Sequence, residues 1–208
     1  CGAKTGHQVL SAAMESSIDI ACKLGANPKL MPNPGLIEDS AILPPTGSWE
    51  IVQSVDVISE IVSDPFILGR ISAVHALSDL YAANATPHFA LAVVTLAIAR
   101  SDLQQEHLTQ LMAGGLLALS EAGVRLVGGH TSEAEATSIG FSVTGTRHSV
   151  PEPPTVADDP VLLLTKPLGT GLIMAANMQL QTNAENVAAT IQSMAMGNGA
   201  AAAILANY

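Results

Sequence analysis

Aromatic side chains are scarce in this chain: three Phe, two Tyr and one Trp among 208 residues, or 3%. Proteins that read single-stranded RNA or DNA stack bases on such rings, so that class is disfavoured. The core has to come instead from Ala, Leu, Ile and Val within a hydrophobic content of 48%. Positive charge is also scarce. Eight Lys and Arg against eighteen Asp and Glu give a formal net charge of −10, which repels phosphate backbones and anionic lipid surfaces. Nucleic acid is therefore not an expected partner. An acidic chain can still bind a nucleotide when divalent metal lies between its carboxylates and the phosphates. There are two cysteines, Cys1 and Cys22, enough for one bridge at most. That count excludes a disulfide framework and a paired-cysteine zinc site, and a reducing cytoplasm is the expected compartment. Long apolar runs are missing too. The longest, residues 89–99, is interrupted by Thr95 and falls well short of the roughly 20 residues that span a bilayer; it reads as a buried strand, and no membrane partner is expected. Finally, the chain opens on Cys1 rather than Met. A segment of a longer polypeptide, a lipidated mature N-terminus and an N-terminal cysteine nucleophile all fit that opening, and the motifs below favour the first.

Strand and helix patterns alternate along the chain. Residues 7–25 read as a helix that Gly25 stops, and the prolines at 28, 32 and 34 make the next segment a loop. A short strand fits residues 41–43. Residues 50–58 alternate, with Ile51, Val55 and Val57 on one face and Ser54 and Asp56 on the other. Asp64-Pro65 is a helix start, an N-cap followed by proline at the first helical position. Ile67, Ile71, Val74, Leu77 and Tyr81 then give that helix a buried face. Residues 88–99 form a second long strand. Ser101 with Gln104 predicts a capping box, and Leu108, Leu111, Met112, Leu116, Leu119 and Ala122 predict the buried stripe of a helix closed by Gly123. Strands are expected at 124–127 and 138–145. The prolines of residues 151–154 mark a boundary, dividing residues 1–152 from residues 153–208. In the second part a short buried strand is expected at 161–164, a helix opening at 169–178 and a helical stretch over 187–205. About fifty residues are too few for an independent core, so the second part reads as the truncated beginning of a domain.

Three carboxylates, Asp39, Asp56 and Asp79, sit in otherwise apolar segments. Burying an unpaired charge costs several kcal/mol, and a divalent ion compensates it economically. Magnesium suits such a site, because it takes one or two carboxylates and completes its shell with water and phosphate oxygens. Taken singly, each aspartate reads equally well as a cap or a surface residue. Gly128-Gly129 before His130-Thr131 permits close approach of a ligand to the backbone, or forms a tight strand-to-loop turn. Lys166 followed by Gly169-Thr170-Gly171 departs from the order of a Walker loop; it fits an anion site at a helix start or a structural turn. At the N-terminus an ammonium at Lys4 would favour the thiolate of Cys1, whereas Cys22 reads as a core residue.

These pieces in this order resemble the selenophosphate synthetases (selenide, water dikinases), within the aminoimidazole ribonucleotide synthetase superfamily. The quoted residues are Cys1-Gly2-Ala3-Lys4, the segment Gly35-Leu-Ile-Glu-Asp-Ser-Ala-Ile-Leu43, Ser54-Val-Asp-Val57, the helix Gly69 to Ala82 with Ala76-Leu77-Ser78-Asp79, and Gly128-Gly129-His130-Thr131. The resemblance implies an α+β fold, a mixed sheet with helices on one face, followed by the start of a second α+β domain. It implies magnesium held by Asp39, Asp56 and Asp79, nucleotide contact by Gly128, Gly129, His130 and Thr131, and catalysis by Cys1 on selenide and Lys4 on phosphate. The implied reaction converts ATP, selenide and water into selenophosphate, phosphate and AMP, in a homodimer built by joining first-domain sheets. Some relatives are fused behind a flavin-dependent oxidoreductase, which would account for the opening residue. Two departures stand out: Glu38-Asp39 replaces a pair of aspartates, and His75 takes a position commonly held by asparagine. Two alternatives stay open, another ATP-dependent enzyme of the superfamily such as a thiamine-monophosphate kinase, and a truncated, non-catalytic ATP-binding or dimerisation module.

Overall fold

The structure is a computed structural model, described here for residues 15–16, 18–20, 22–25, 27, 40–43, 48–148 and 161–205. The chain divides into two compact units, Cys1–Asp39 and Ser40–Tyr208. In the first, helical residues between 15 and 23 end where Gly25 takes a φ of +99°, a left-handed conformation that glycine reaches without a Cβ penalty. Cys22 is a free thiol and is half-buried rather than enclosed in a core.

In the second unit the order is β1 (Ser40–Ile42), β2 (Trp49–Ser59), α1 (Pro65–Ala82), β3 (Thr86–Ala97), α2 (Ser101–Glu121), β4 (Arg125–Ala134), β5 (Ser138–His148), α3 (Thr170–Met178), α4 (Ala184–Ala195) and α5 (Gly199–Leu205). The sheet runs β1-β2-β5-β3-β4. β3 and β4 pair in parallel across the α2 crossover, and the other neighbours are antiparallel. This is the expected α+β arrangement of a mixed sheet with packed helices.

α1 starts as its sequence predicts: the Ile67 amide donates to Asp64 Oδ1 at 3.0 Å with Pro65 in the first turn. It packs against α2 through glycines. A Cβ on Gly69 would fall on the Leu111 carbonyl oxygen, one on Gly114 on the Phe66 carbonyl oxygen, and one on Gly115 would come within 2.7 Å of the Phe141 ring. The two helix backbones therefore approach closely at this crossing. Beneath it lie the fully buried Leu68, Leu80, Leu111, Leu119, Ile139 and Phe141. Ser72, also buried, donates to the Ile139 carbonyl at 2.9 Å and fastens α1 to β5. Arg70 links three helices, with a bidentate pair to Glu121 at 3.0 and 2.7 Å and a bond from Nε to the Ala195 carbonyl at 3.0 Å.

Several expectations are corrected. Ser101 is not an N-cap; it is the first residue of α2, Arg100 precedes it without a side-chain cap bond, and the Gln104 amide goes instead to the Ala97 carbonyl and Glu133. The α2 stripe is as predicted except at Leu116, since Leu108, Met112 and Ala122 pack against the core beside Leu111 and Leu119. Leu111 and Leu119 are buried, but Leu116 is exposed and the small Gly114, Gly115 and Ala118 occupy the buried seam. Residues 161–164 form no strand and are exposed, Leu162 almost completely; strand identity needs a partner ladder, and among the described residues none pairs with them. The helical stretch over 187–205 is two helices, because Met196 leaves helical geometry with ψ 124° before α5 begins.

The most informative difference concerns β2. Its alternation is as read, but the apolar set Ile51, Val55 and Val57 faces outward, while Ser54 and Asp56 lie with Val52 and Ile58 on the buried side. On β3, Phe89 and Leu91 are likewise exposed, so the run expected to be buried has one uncovered face.

Candidate functional site

The polar pair of β2 is covered by α1, and the two elements share a common spacing. Two strand residues advance about 6.6 Å and four helical residues about 6 Å, so Ser54 and Asp56 can each meet one of two helix residues one turn apart. They do, in antiparallel order. Ser54 Oγ donates to Asp79 Oδ2 at 2.7 Å, and His75 Nε2 lies 3.7 Å from Asp56 Oδ2. Ser54 and Asp56 are among the few buried polar residues of the described chain. Asp79 is half-buried. A carboxylate accepts at about four lone-pair positions, so the Ser54 bond occupies one position on Asp79. Sequence reasoning placed Ser54 on the Asp56 face without a role; spacing of two along a strand was the available signal.

The helix is fixed on its other side as well. Ser78, next to Asp79, donates to the Val74 carbonyl at 2.7 Å and accepts from Asn198 Nδ2 at 2.8 Å. Asn198 precedes α5, so the last described helix is tied to the acidic end of α1. No sequence signal pointed to that contact.

Of the other expected metal ligands, Asp39 lies outside the described residues, as do Cys1 and Lys4. Ser40, which follows Asp39 in sequence, pairs with Ser54. Among the described residues no group of three His, Cys, Asp or Glu side chains is arranged to hold a metal by itself.

Gly128-Gly129-His130-Thr131 are not a strand-to-loop turn. They continue β4 as an extended edge strand beside β3, after an irregularity in register between Ala90 and Leu91. Gly129 has a packing reason, since a Cβ there would fall on the Ala92 carbonyl oxygen. β4 is three strand positions from β2, or about 14 Å at the usual strand spacing, and the structure does not bring it to Asp56 and Asp79 within this chain. His130 pairs with Val93 and is exposed. Lys166 donates to the Ser193 and Met196 carbonyls at 3.2 and 2.8 Å. It therefore caps the C-terminal end of α4, and burial lowers its pKa from the usual lysine value. No helix among the described residues is long and apolar enough to cross a membrane.

Residues 37–147, which carry the whole five-stranded sheet and its two covering helices, match the family described as AIR synthase related protein, N-terminal domain. The chain belongs to this AIR synthase related family. Similar proteins include the selenide, water dikinase of Trichlorobacter lovleyi, 38% identical over 186 residues, covering 88% of this chain and 53% of the relative. That of Geobacter metallireducens is 35% identical, covering 93% and 57%, and that of Shewanella sp. strain ANA-3 is 31% identical, covering 98% and 57%. The chain thus spans somewhat over half the length of these relatives. In fold it is similar to the thiamine monophosphate kinase of Aquifex aeolicus, with TM-score 0.62 at 19% identity over 93% of this chain and 64% of that one. The thiamine-monophosphate kinase of Stenotrophomonas maltophilia gives TM-score 0.60 at 17% identity, covering 94% and 64%. These two likenesses bear on the AIR synthase related fold alone.

Proposed function

We propose that this chain is the ATP- and metal-binding part of a selenide, water dikinase, with Asp56 and Asp79 as carboxylate ligands to magnesium that bridges ATP phosphates. The observation that carries the reading is the strand–helix pairing of Ser54 and Asp56 with Asp79 and His75. It holds two carboxylates on one rigid interface, one of them in a buried wall. Their chemistry fits a hard divalent ion that completes its shell with water and phosphate oxygens. Bound there, magnesium would neutralise charge developing on the transferring phosphoryl groups. Asp39, outside the described residues, is included in the proposal because the resemblance to the selenophosphate synthetases implies it.

The choice of selenide over other acceptors is supported by relatives at 31% to 38% identity named selenide, water dikinase and by Cys1 and Lys4. The Cys1 thiolate would hold selenium, and Lys4 would act on phosphate as ATP is converted to AMP, phosphate and selenophosphate. Gly128 to Thr131 would contact nucleotide from the edge strand. Residues 1–152 form the first domain in this reading, and residues 153–208 begin a second. A homodimer is included: Ile51, Val55, Val57, Phe89 and Leu91 are all exposed, and a second copy of the sheet is the partner that the resemblance implies for this face.

Calorimetry of ATP binding with magnesium and with a chelator tests the core of the proposal. Binding is expected only with the metal, and equal affinity in both conditions would overturn it. Anaerobic assay with selenide, reading AMP and selenophosphate by phosphorus NMR, separates catalysis from binding. Metal-dependent ATP binding without AMP would identify a binding and dimerisation module.

A further inference from the structure

We propose that His75 is itself a metal ligand, and that the Asp56–His75 pair makes this site prefer a divalent ion that accepts nitrogen, of the manganese-to-zinc series, over magnesium. The inference rests on the reading of Asp56 and Asp79 as the metal–nucleotide site and deepens it.

The separation of His75 Nε2 from Asp56 Oδ2 is 3.7 Å, too long for a hydrogen bond. It is a natural separation for two donors on one ion. Metal–ligand distances of about 2.1 Å subtend an angle of about 120° at that separation, and rotation of the imidazole to about 3.0 Å gives the right angle of an octahedral edge. The room to rotate exists, since the His75 side chain is 39% exposed whereas that of Asp56 is 10% exposed. The carboxylate thus forms the wall of the site and the imidazole stands at its mouth, where water and phosphate oxygens have access.

Backbone geometry holds both groups in place. His75 and Asp79 are one helical turn apart, Asp79 is bonded to Ser54, and Ser54 is two residues from Asp56 on β2. Donor chemistry then decides which ion. Magnesium takes oxygen ligands, whereas imidazole favours the later divalent ions, with affinity rising from manganese toward copper.

The test uses the 208-residue chain with Mn²⁺ alone as the probe. Free Mn²⁺ is counted by electron paramagnetic resonance, Mg²⁺ affinity is measured by competition, and electron spin-echo modulation reports nitrogen bound to the metal. We expect a nitrogen signal of imidazole type that disappears in His75→Gln, so that the other five histidines of the sequence are excluded as its source. His75→Gln should also weaken Mn²⁺ by about tenfold or more, as loss of a second-shell partner alone costs about 10–100-fold, while changing Mg²⁺ much less. Thermal melting of the variant checks its fold. Mn²⁺ bound without nitrogen modulation, or an unchanged Mn²⁺/Mg²⁺ ratio in His75→Gln, would overturn the inference. Asp56→Asn measured in parallel separates the two levels: if it abolishes Mn²⁺ binding while nitrogen is absent, only the role of His75 fails. If the unsubstituted chain binds no Mn²⁺, the underlying site fails with it.

Discussion

Replacing Ser54 by alanine probes the site through a bond rather than through a ligand. Ser54 is buried, with 4% of its surface exposed, and its hydroxyl is 2.7 Å from Asp79 Oδ2. A hydrogen bond to a charged group contributes about 1.5–3 kcal/mol. Part of that returns because Asp79 is half-buried and regains water, and because alanine suits the apolar wall. A net loss of about 1–2 kcal/mol is expected, equivalent to about 2–8 °C in Tm for a unit of this size. Urea unfolding of Ser54→Ala, Asp79→Asn and the double variant completes a thermodynamic cycle. In the Asn background the same hydroxyl meets a neutral acceptor, whose bond is worth about 0.5–1.5 kcal/mol, so the two changes should couple by about 1 kcal/mol. Additive changes, or no loss from Ser54→Ala alone, would show that Ser54 does not hold Asp79.

The exposed sheet face gives a second prediction: light scattering at micromolar concentration should show a dimer, and Val55→Lys should return it to the 21.3 kDa monomer, whereas a monomer without the substitution would refute the proposed assembly. At the helix crossing, Gly114→Ala forces a Cβ onto the Phe66 carbonyl oxygen, a backbone atom that no rotamer change can move, so calorimetry should show a loss of about 1–3 kcal/mol despite the gain in helix propensity. For pH, the hydrogen bonds from Arg70 hold the Glu121 carboxyl below its ordinary value of 4.5. A depressed folded-state pKa means that the stabilisation is present above 4.5 and is lost as pH falls through the folded value. The gap in urea midpoint between the unsubstituted chain and Glu121→Gln should therefore be small at neutral pH, since Glu121 is half-exposed, and should close as pH falls from 4.5 through the lower folded-state value; a gap that stays constant would contradict the pairing.

Elements with strong local signals were legible in the sequence. Asp64-Pro65 fixed the start of α1 because the cap is made within four residues, and Gly25 ended its helix because left-handed geometry is a local property. What required the fold was whatever depended on a distant partner. The Ser101–Gln104 box failed because two acceptors, Ala97 and Glu133, competed for Gln104. Residues 161–164 are as apolar as any strand, yet no ladder among the described residues receives them. The close approach of α1 adds Gly114, Gly115 and Ala118 to the buried side of α2 beside the expected stripe, from which only Leu116 is missing. At the site, Asp56 and Asp79 stood out as charges in apolar runs. His75 stood out only as a departure from the family pattern and Ser54 not at all, because their pairings appear only when β2 and α1 are laid antiparallel.

The two faces of β2 join these observations into one argument. β2 is apolar on both faces: Val52 and Ile58 face the helices with Ser54 and Asp56 between them, while Ile51, Val55 and Val57 face out. Asp56 is buried beside His75, and leaving Ile51, Val55 and Val57 between 36% and 59% exposed forgoes part of the about 1.5–3 kcal/mol that full burial of each would contribute. A one-residue change of register would expose the buried Val52 and Ile58 and turn Gln53 inward, so the apolar core fixes this register and the polar pair is carried within it. In the proposed reading each face has its own occupant. The inner face offers Asp56 with His75, and Asp79 with Ser54, to a cation, whereas the outer face offers a continuous apolar surface to another sheet. Metal binding and dimerisation should consequently both raise the melting temperature, through opposite faces of one strand.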